Sequence, residues 1–232
     1  MVTKMGVLAS LLLAIGSIQG CRSAAVDKQV AAACPKTFDI GVLQRSVFMV
    51  CEPAAAESIL GMTVDGGDSY HGSCFYTMWN DRPALITAWH VVEDRDGGPY
   101  PILDHWDSGT VAKFTRYKTS DMGIAYLSAV PSSWVPLRLA MVPYGGYCVS
   151  VGYPAFNALT CTGGRVVSFY TAKSENMGEG TYLKVRGIAI PGMSGGPVID
   201  CEGRVFALVA LGRGDIIWHE PLSQPLVLPI GN

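Results

Sequence analysis

Charge is scarce in this chain. Of its 232 residues only 16% are Asp, Glu, Lys or Arg, and the formal net charge is −2. So balanced a chain lacks the electrostatic footprint of a nucleic-acid binder, and no basic cluster supplies one locally. Zinc-ligand spacing and a Gly-rich phosphate loop are absent too, so no metal and no cofactor is expected. There is no internal repeat and few long polar helical patterns. The sustained apolar run near the start, Met5 to Ile18, is too short to cross a bilayer comfortably. What is abundant points the other way: 27 Gly, 14 Pro and 49% hydrophobic residues. That composition favours an all-β chain with ample core, organised as one domain or two tightly joined halves.

One heptapeptide, Pro191-Gly192-Met193-Ser194-Gly195-Gly196-Pro197, organises the rest. Its glycines let the backbone turn sharply and expose amides without interference from a Cβ. Such a loop can aim the amides of Gly192 and Ser194 at one point beside the Ser194 hydroxyl, which is an oxyanion hole next to a nucleophile. The competing reading is a Gly-rich turn closing a β-hairpin.

Serine needs a base, and the base needs an orienting group. Thr87-Ala88-Trp89-His90-Val91-Val92 follows the apolar strand Ala84-Leu85-Ile86, and Asp121 opens a second apolar strand, Met122 to Leu127. A carboxylate there can be buried against an imidazole. Asp104 and Asp107 are rival acids, but their Pro- and Gly-flanked stretch reads as loop. His71, His105 and His219 sit in no motif and read as packed or surface imidazoles.

These three segments, in the order His90, Asp121, Ser194, resemble the chymotrypsin-like (trypsin-like) serine proteases. The Gly-x-Ser-Gly-Gly-Pro loop, the segment around His90 and the strand after Asp121 carry the likeness, although Trp89 replaces the family's usual small residue. Pro191 before the loop, Gly72-Ser73-Cys74-Phe75, and the Gly152-Tyr153-Pro154 turn resemble the bacterial HtrA and glutamyl-endopeptidase branches. So do the compact intervals, 31 residues from His90 to Asp121 and 73 from there to Ser194. The resemblance implies two six-stranded antiparallel Greek-key β-barrels with the active site between them. It implies a serine endopeptidase acting on protein or peptide substrates, with His90, Asp121 and Ser194 catalytic and the Gly192 and Ser194 amides as oxyanion hole. Residues 46–135 would form the first barrel and 136–232 the second, with Ala129 to Pro136 as the crossing linker. Unlike in HtrA proteins, no PDZ module is expected after the second barrel, because few residues follow it.

The resemblance also locates the substrate pocket. Ile188, Ala189 and Ile190 would line one wall, and Ala210-Leu211-Gly212 stands where Ser-Trp-Gly binds substrate backbone in chymotrypsin. Ile188 occupies the position of the acid in trypsin-like enzymes, and Val209 falls near the histidine of the glutamyl-specific ones. An apolar pocket for small or medium side chains follows, unless Asp215 points into it and selects basic ones. Met193 stands where pancreatic zymogens carry an Asp that pairs with a freshly cut N-terminus, so the loop is expected to form without that cleavage.

Residues 1–20 read as an export signal: Lys4 provides the positive start, and small residues follow the apolar run. Ile18-Gln19-Gly20-Cys21 resembles a bacterial lipobox, which would attach the chain to a membrane through a lipid on Cys21. Ordinary cleavage after Gly20 or near Ala25 is the rival, and an uncleaved anchor a third reading. The protein is thus expected to be periplasmic, lipid-anchored at the cell envelope, or secreted. Residues 21–45 read as a tether or a strap over the barrel. Six cysteines remain besides Cys21. In an exported chain they suggest disulfides of open connectivity, or buried thiols. By family resemblance Cys148 pairs with Cys201; Cys148 with Cys161, across a hairpin, is the alternative.

Further strands are expected over 45–50, 58–64, 72–79, 110–118, 137–141, 148–152, 165–172, 181–186 and 226–230, and a hairpin over 198–211. Residues 65–68, 95–101 and 173–180 read as turn or loop. Three other functions compete. One is a catalytically inactive protease-fold protein that binds at a cell surface, another a protease limited to one self or partner cleavage. The third is a structural lipoprotein whose Gly-rich loop is only a turn.

Overall fold

Short apolar segments cut by Gly, Pro and Asp-bearing turns can bury themselves only by pairing edge to edge, and in the computed structural model they do so twice. The structure describes residues 25–26, 34, 39–51, 70–103, 109–118, 120–141, 146–154, 158–174, 178–213 and 216–221. The first sheet uses β2 (Val47–Cys51), β3 (Tyr70–Trp79), β4 (Arg82–Ala88), β5 (Tyr100–Leu103), β6 (Gly109–Ala112), β7 (Thr115–Arg116) and β8 (Met122–Tyr126). Their order is β6-β5-β2-β3-β4-β8-β7. The two edge strands β6 and β7 are separated in the chain only by Lys113 and Phe114, so the sheet curls until its edges meet. Counting β6 and β7 as one bent strand gives six.

The second sheet uses β9 (Tyr147–Gly152), β10 (Thr160–Ser174), β11 (Gly178–Gly187), β12 (Pro197–Ile199), β13 (Val205–Arg213) and β14 (Ile216–Pro221). It runs β10-β11-β14-β13-β12-β9, and β9 pairs again with β10 to close the ring. Apart from β1 (Ala25–Val26), which adds in parallel to Thr160–Cys161 of β10, the named strand pairs of both sheets are antiparallel. The protein is thus all-β, built of two antiparallel barrels. Its one described α-helix is the short α1 (Ile40–Gln44), whose first turn is capped by the Asp39 carboxylate accepting from Gly41 N–H at 2.8 Å.

The barrels share a core. One buried cluster runs from Phe48, Phe75 and Ile86 in the first barrel to Val151, Tyr182 and Leu208 in the second, while Val166, Val185, Met193 and Phe206 belong to a smaller cluster in the second. A common core leaves little freedom for the barrels to shift, because packed interiors do not deform continuously. The apolar strand β8 is buried on both faces. Met122, Gly123, Ile124 and Ala125 are all buried. Gly123 is small because Trp89 and Phe114 cover it: a Cβ there would lie 3.5 Å from each.

Several expectations are corrected. Residues 137–141 form no strand but two isolated bridges, Thr77 to Leu137 and Leu139 to Val205, which stitch the linker to both barrels. Tyr100 and Pro101, expected as the end of a loop over 95–101, begin the strand Tyr100–Leu103, and a single turn of 3-10 helix precedes it at Glu93–Arg95. The hairpin arms β10 and β11 extend well beyond the expected strands and take in most of the expected turn. The strands expected over 58–64 and 226–230, and the turn over 65–68, lie outside the described residues.

The disulfide expectation is wrong as well. Cys201 is bonded to Cys34, not to Cys148. Cys51, Cys74, Cys148 and Cys161 are buried thiols that form no disulfide. The strap residue Cys34 lies bonded to Cys201 just past the end of β12, and Cys148 belongs to the buried cluster of the second barrel. The alternative Cys148–Cys161 fails on register. Gly164 lies opposite Cys148 and Val151 opposite Cys161, so the two cysteines sit three positions apart on opposite faces. Burial pushes both of these thiols up to about 12, which keeps them protonated and unreactive.

Non-reducing peptide mapping should therefore recover one Cys34–Cys201 linked peptide, with Cys148 and Cys161 alkylated only after denaturation. The double variant Cys34→Ser/Cys201→Ser should lose roughly 2–5 kcal/mol in chemical denaturation.

Candidate active site

The loop from Ile190 to Gly196 consists of two consecutive tight turns. Met193 N–H donates to the Ile190 carbonyl at 3.0 Å, and Gly196 N–H to the Met193 carbonyl at 2.9 Å. The third residue of each turn has a positive φ, +95° at Gly192 and +81° at Gly195. Pro191 occupies the second position of the first turn, where its fixed φ fits, so both turns follow the type II pattern and require glycine where they have it. Gly195 is required for space as well. A Cβ there would collide with the Ser73 carbonyl, the Thr87 hydroxyl and Ala88 N.

Bonds to both barrels seat this loop. On the first-barrel side, Ser73 N–H donates to the Ser194 carbonyl at 2.7 Å. On the second, Gly195 N–H donates to the Val209 carbonyl at 2.7 Å, and Val209 N–H to the Gly196 carbonyl at 2.9 Å. Ser194 is thereby held against Gly72 and Val91: a Cβ on Gly72 would lie 2.7 Å from the Ser194 carbonyl and 2.8 Å from the Val91 side chain. Val91 follows His90 in the single 3-10 turn Trp89–Val91. The loop of Ser194 therefore lies beside the turn that carries His90, at the junction of the barrels.

Strand register brings the acid to the same place. Ala88, the last residue of β4, lies opposite Met122, the first of β8, so Asp121 falls beside the turn that carries His90. Three hydrogen bonds fix it. The Asp121 carbonyl accepts from Trp89 N–H at 3.1 Å, Oδ1 accepts from His90 N–H at 2.9 Å, and Oδ2 meets His90 Nδ1 at 2.8 Å. The carboxylate is buried, at 2% exposure, and the imidazole half-buried. Burial by itself would lower the imidazole pKa. The hydrogen bond and charge of Asp121, with a contribution from Glu93, outweigh it and hold His90 above its ordinary 6.5. An Nδ1–H donated to Oδ2 leaves Nε2 unprotonated and able to take a proton.

Other expected residues fall around this centre. Ser194 Oγ donates to the Ala210 carbonyl at 3.4 Å. Ala210 lies in a bulge of β13, where the pairing slips between Val209 and Leu211, and a bulge re-aims backbone groups beside a site. Ile188 and Ile190 are 56% and 37% exposed ahead of the loop, with Ala189 packed against the second-barrel cluster. The Ile188 carbonyl is held by Thr162 Oγ1 at 2.6 Å. Leu211 and Gly212 follow on β13, opposite Trp218 and Ile217. Cys21, Asp104, Asp107 and Asp215 lie outside the described residues. Sequence reasoning missed Ser73, a buried polar residue on an apolar strand. It also missed the second bond of Asp121, to a main-chain amide, which leaves no trace in residue type. Among the described residues no cluster of His, Cys, Asp and Glu could hold a metal ion.

Comparison with known proteins agrees with this architecture. A family model of the trypsin-like peptidase domain matches residues 72–208. The chain belongs to that family, whose class is the serine-type peptidases. A curated relative, the pro-apoptotic serine protease NMA111 of Coccidioides immitis, is 30% identical over 159 residues, which is 62% of this chain and 15% of that protein. The chain thus spans only about a seventh of that relative's length. Among solved structures, the active form of the Rv3671c protease from M. tuberculosis superposes with a TM-score of 0.65 at 18% identity, covering 89% of this chain and 87% of that one. The HtrA-type protease AlgW, solved with a decapeptide, gives 0.61 at 16% identity, covering 80% and 64%. At such identities these two structures speak for the fold alone.

The His90–Asp121 pair has a measurable signature. An NMR titration of the His90 ring should give a pKa above 6.5, and Asp121→Asn should lower it. Because folded His90 binds its proton more tightly than the unfolded chain does, the pair's added stability is complete below pH 6.5. It disappears as pH rises through the folded value. An imidazole titrating below 6.5 would contradict the geometry described.

Proposed function

We propose that the chain is a serine endopeptidase that cleaves peptide bonds through an acyl-enzyme. The observation that carries this reading is the doubly bonded His90–Asp121 pair beside the loop of Ser194. Ser194 Oγ attacks the scissile carbonyl, and His90 Nε2 takes its proton. Asp121 fixes the tautomer and stabilises the imidazolium. The amides of Gly192 and Ser194 receive the oxyanion; among the described residues the Ser194 N–H has no other acceptor. The tetrahedral intermediate then collapses. His90 returns its proton to the leaving amine, and water repeats the sequence on the acyl-enzyme with the roles reversed. Since His90 must be neutral to act, kcat/KM rises with pH through its raised pKa.

The loop needs no freshly cut N-terminus on this reading. Met193 is fully buried in the second-barrel cluster, so apolar packing does the work that an ion pair does in a zymogen-derived enzyme. The exposed Ile188 and Ile190 favour substrates with a small or medium apolar side chain before the scissile bond. The Cys34–Cys201 bond supports an oxidising compartment, and with it export, as a secreted or periplasmic protein or one anchored through lipid on Cys21.

A fluorophosphonate probe should label the wild type and not Ser194→Ala, with the same Tm for both, and His90→Ala should slow labelling by at least about a thousandfold. The labelling rate should be independent of any N-terminal extension. A peptide-library profile should favour apolar side chains before the cleaved bond. Equal labelling of Ser194→Ala would end the proposal, and activity appearing only after N-terminal trimming would end the account of the loop. Radiolabelled palmitate should enter the exported protein and not its Cys21→Ala variant; no incorporation by the wild type would leave ordinary cleavage and secretion.

A further inference from the structure

Ser73, on β3 of the first barrel, makes contacts that strand pairing does not require. Its side chain is fully buried. The hydroxyl accepts from Tyr153 N–H at 3.0 Å and donates to the Gly192 carbonyl at 3.0 Å. An amide can only donate and a carbonyl can only accept, so the direction of the hydroxyl proton is fixed: it points at Gly192. The main chain of Ser73 is committed to the same neighbourhood. Its N–H holds the Ser194 carbonyl at 2.7 Å, and its own carbonyl accepts from Thr87 Oγ1 at 2.8 Å. Gly152 makes room for the contact, since a Cβ there would lie 2.9 Å from Ser73 Oγ and 2.9 Å from Met193 Cα.

One residue of the first barrel thus grips both Gly192 and Ser194, the two residues whose amides the loop offers to an oxyanion. Gly192 is the weaker of the two. At φ +95° and without a side chain, its peptide groups rotate more freely than those of any other residue type. A turn of the Gly192–Met193 peptide would break the bond from Met193 N–H to the Ile190 carbonyl, which closes the turn that holds the Gly192 amide in place. Holding the Gly192 carbonyl prevents this.

We propose that Ser73 is a positioning residue: its hydroxyl latches the Gly192 carbonyl and so keeps the oxyanion-binding amides aimed before substrate arrives. The latch rests on the acyl-transfer reading of the site. Its effect belongs on the transition state rather than on ground-state binding, because the oxyanion exists only during acyl transfer.

The test compares Ser73→Ala with Thr77→Val in the full mature chain. Thr77, on the same strand, also donates a buried hydrogen bond, from Oγ1 to the Leu137 carbonyl at 2.7 Å, but makes it to the linker. Both variants should lower Tm. Only Ser73→Ala should lower kcat and the fluorophosphonate labelling rate, by about tenfold to a hundredfold, with KM within about twofold of wild type. Only Ser73→Ala should speed hydrogen exchange of the 190–195 amides, by about tenfold. If the alanine variant does not accumulate folded, Ser73→Cys replaces it, with similar volume and a much weaker donor. Loop exchange no faster than in Thr77→Val overturns the latch, as does a kcat within about twofold of wild type or a loss confined to KM. A wild type inert to probe and peptides, with the exchange difference present, would defeat the proteolytic reading and uphold the latch.

Discussion

A pair of turns slung between two barrels is the constraint on which the site depends. The Ser194 carbonyl is tied to Ser73 of the first barrel, and Gly195 and Gly196 are tied to Val209 of the second. These are main-chain bonds, indifferent to side-chain rotamers, in a place where an unmade bond would leave a buried polar group unsatisfied. Ser194 therefore takes its position from the relation between the barrels and not from its own short loop. The shared core holds that relation, and the linker bridges at Leu137 and Leu139 reinforce it.

Against this frame the meeting of Asp121 with His90 is a matter of register. Antiparallel pairing of β4 with β8 delivers Asp121 to the turn carrying His90. Asp121 is almost wholly withdrawn from water, and its charge is compensated by a main-chain amide and an imidazole. A buried carboxylate with no partner would be expensive; with these two it becomes a fixed negative charge that sets the basicity and the tautomer of His90. The same rule governs the second barrel. There Met193 leaves no charge to compensate, so the loop above it can rest on apolar packing.

The N-terminal strap adds a different kind of constraint. β1 pairs with β10, and Cys34 is bonded to Cys201 just after β12, so a segment far away in sequence is fastened to the barrel that carries the serine. The closed loop is long, with 167 residues separating the cysteines, and such a bond acts mainly on the unfolded chain. The four buried cysteines behave as small apolar side chains instead.

Much of this was legible in the chain. The Gly- and Pro-rich composition indicated β structure. The loop around Ser194 was readable because type II turns leave a chemical mark, Pro191-Gly192 and Ser194-Gly195. His90 and Asp121 were readable because each sits at the end of an apolar run. The disulfide, the role of Ser73 and the second bond to Asp121 were not. Periodicity and turn chemistry are local, and a sequence can state them residue by residue. Partners across a barrel or between barrels depend on strand register and on which segments the fold brings to a shared edge. Those are properties of the packed whole, so tertiary structure alone decided that Cys201 meets Cys34 and that a serine on β3 reaches the Gly192 carbonyl.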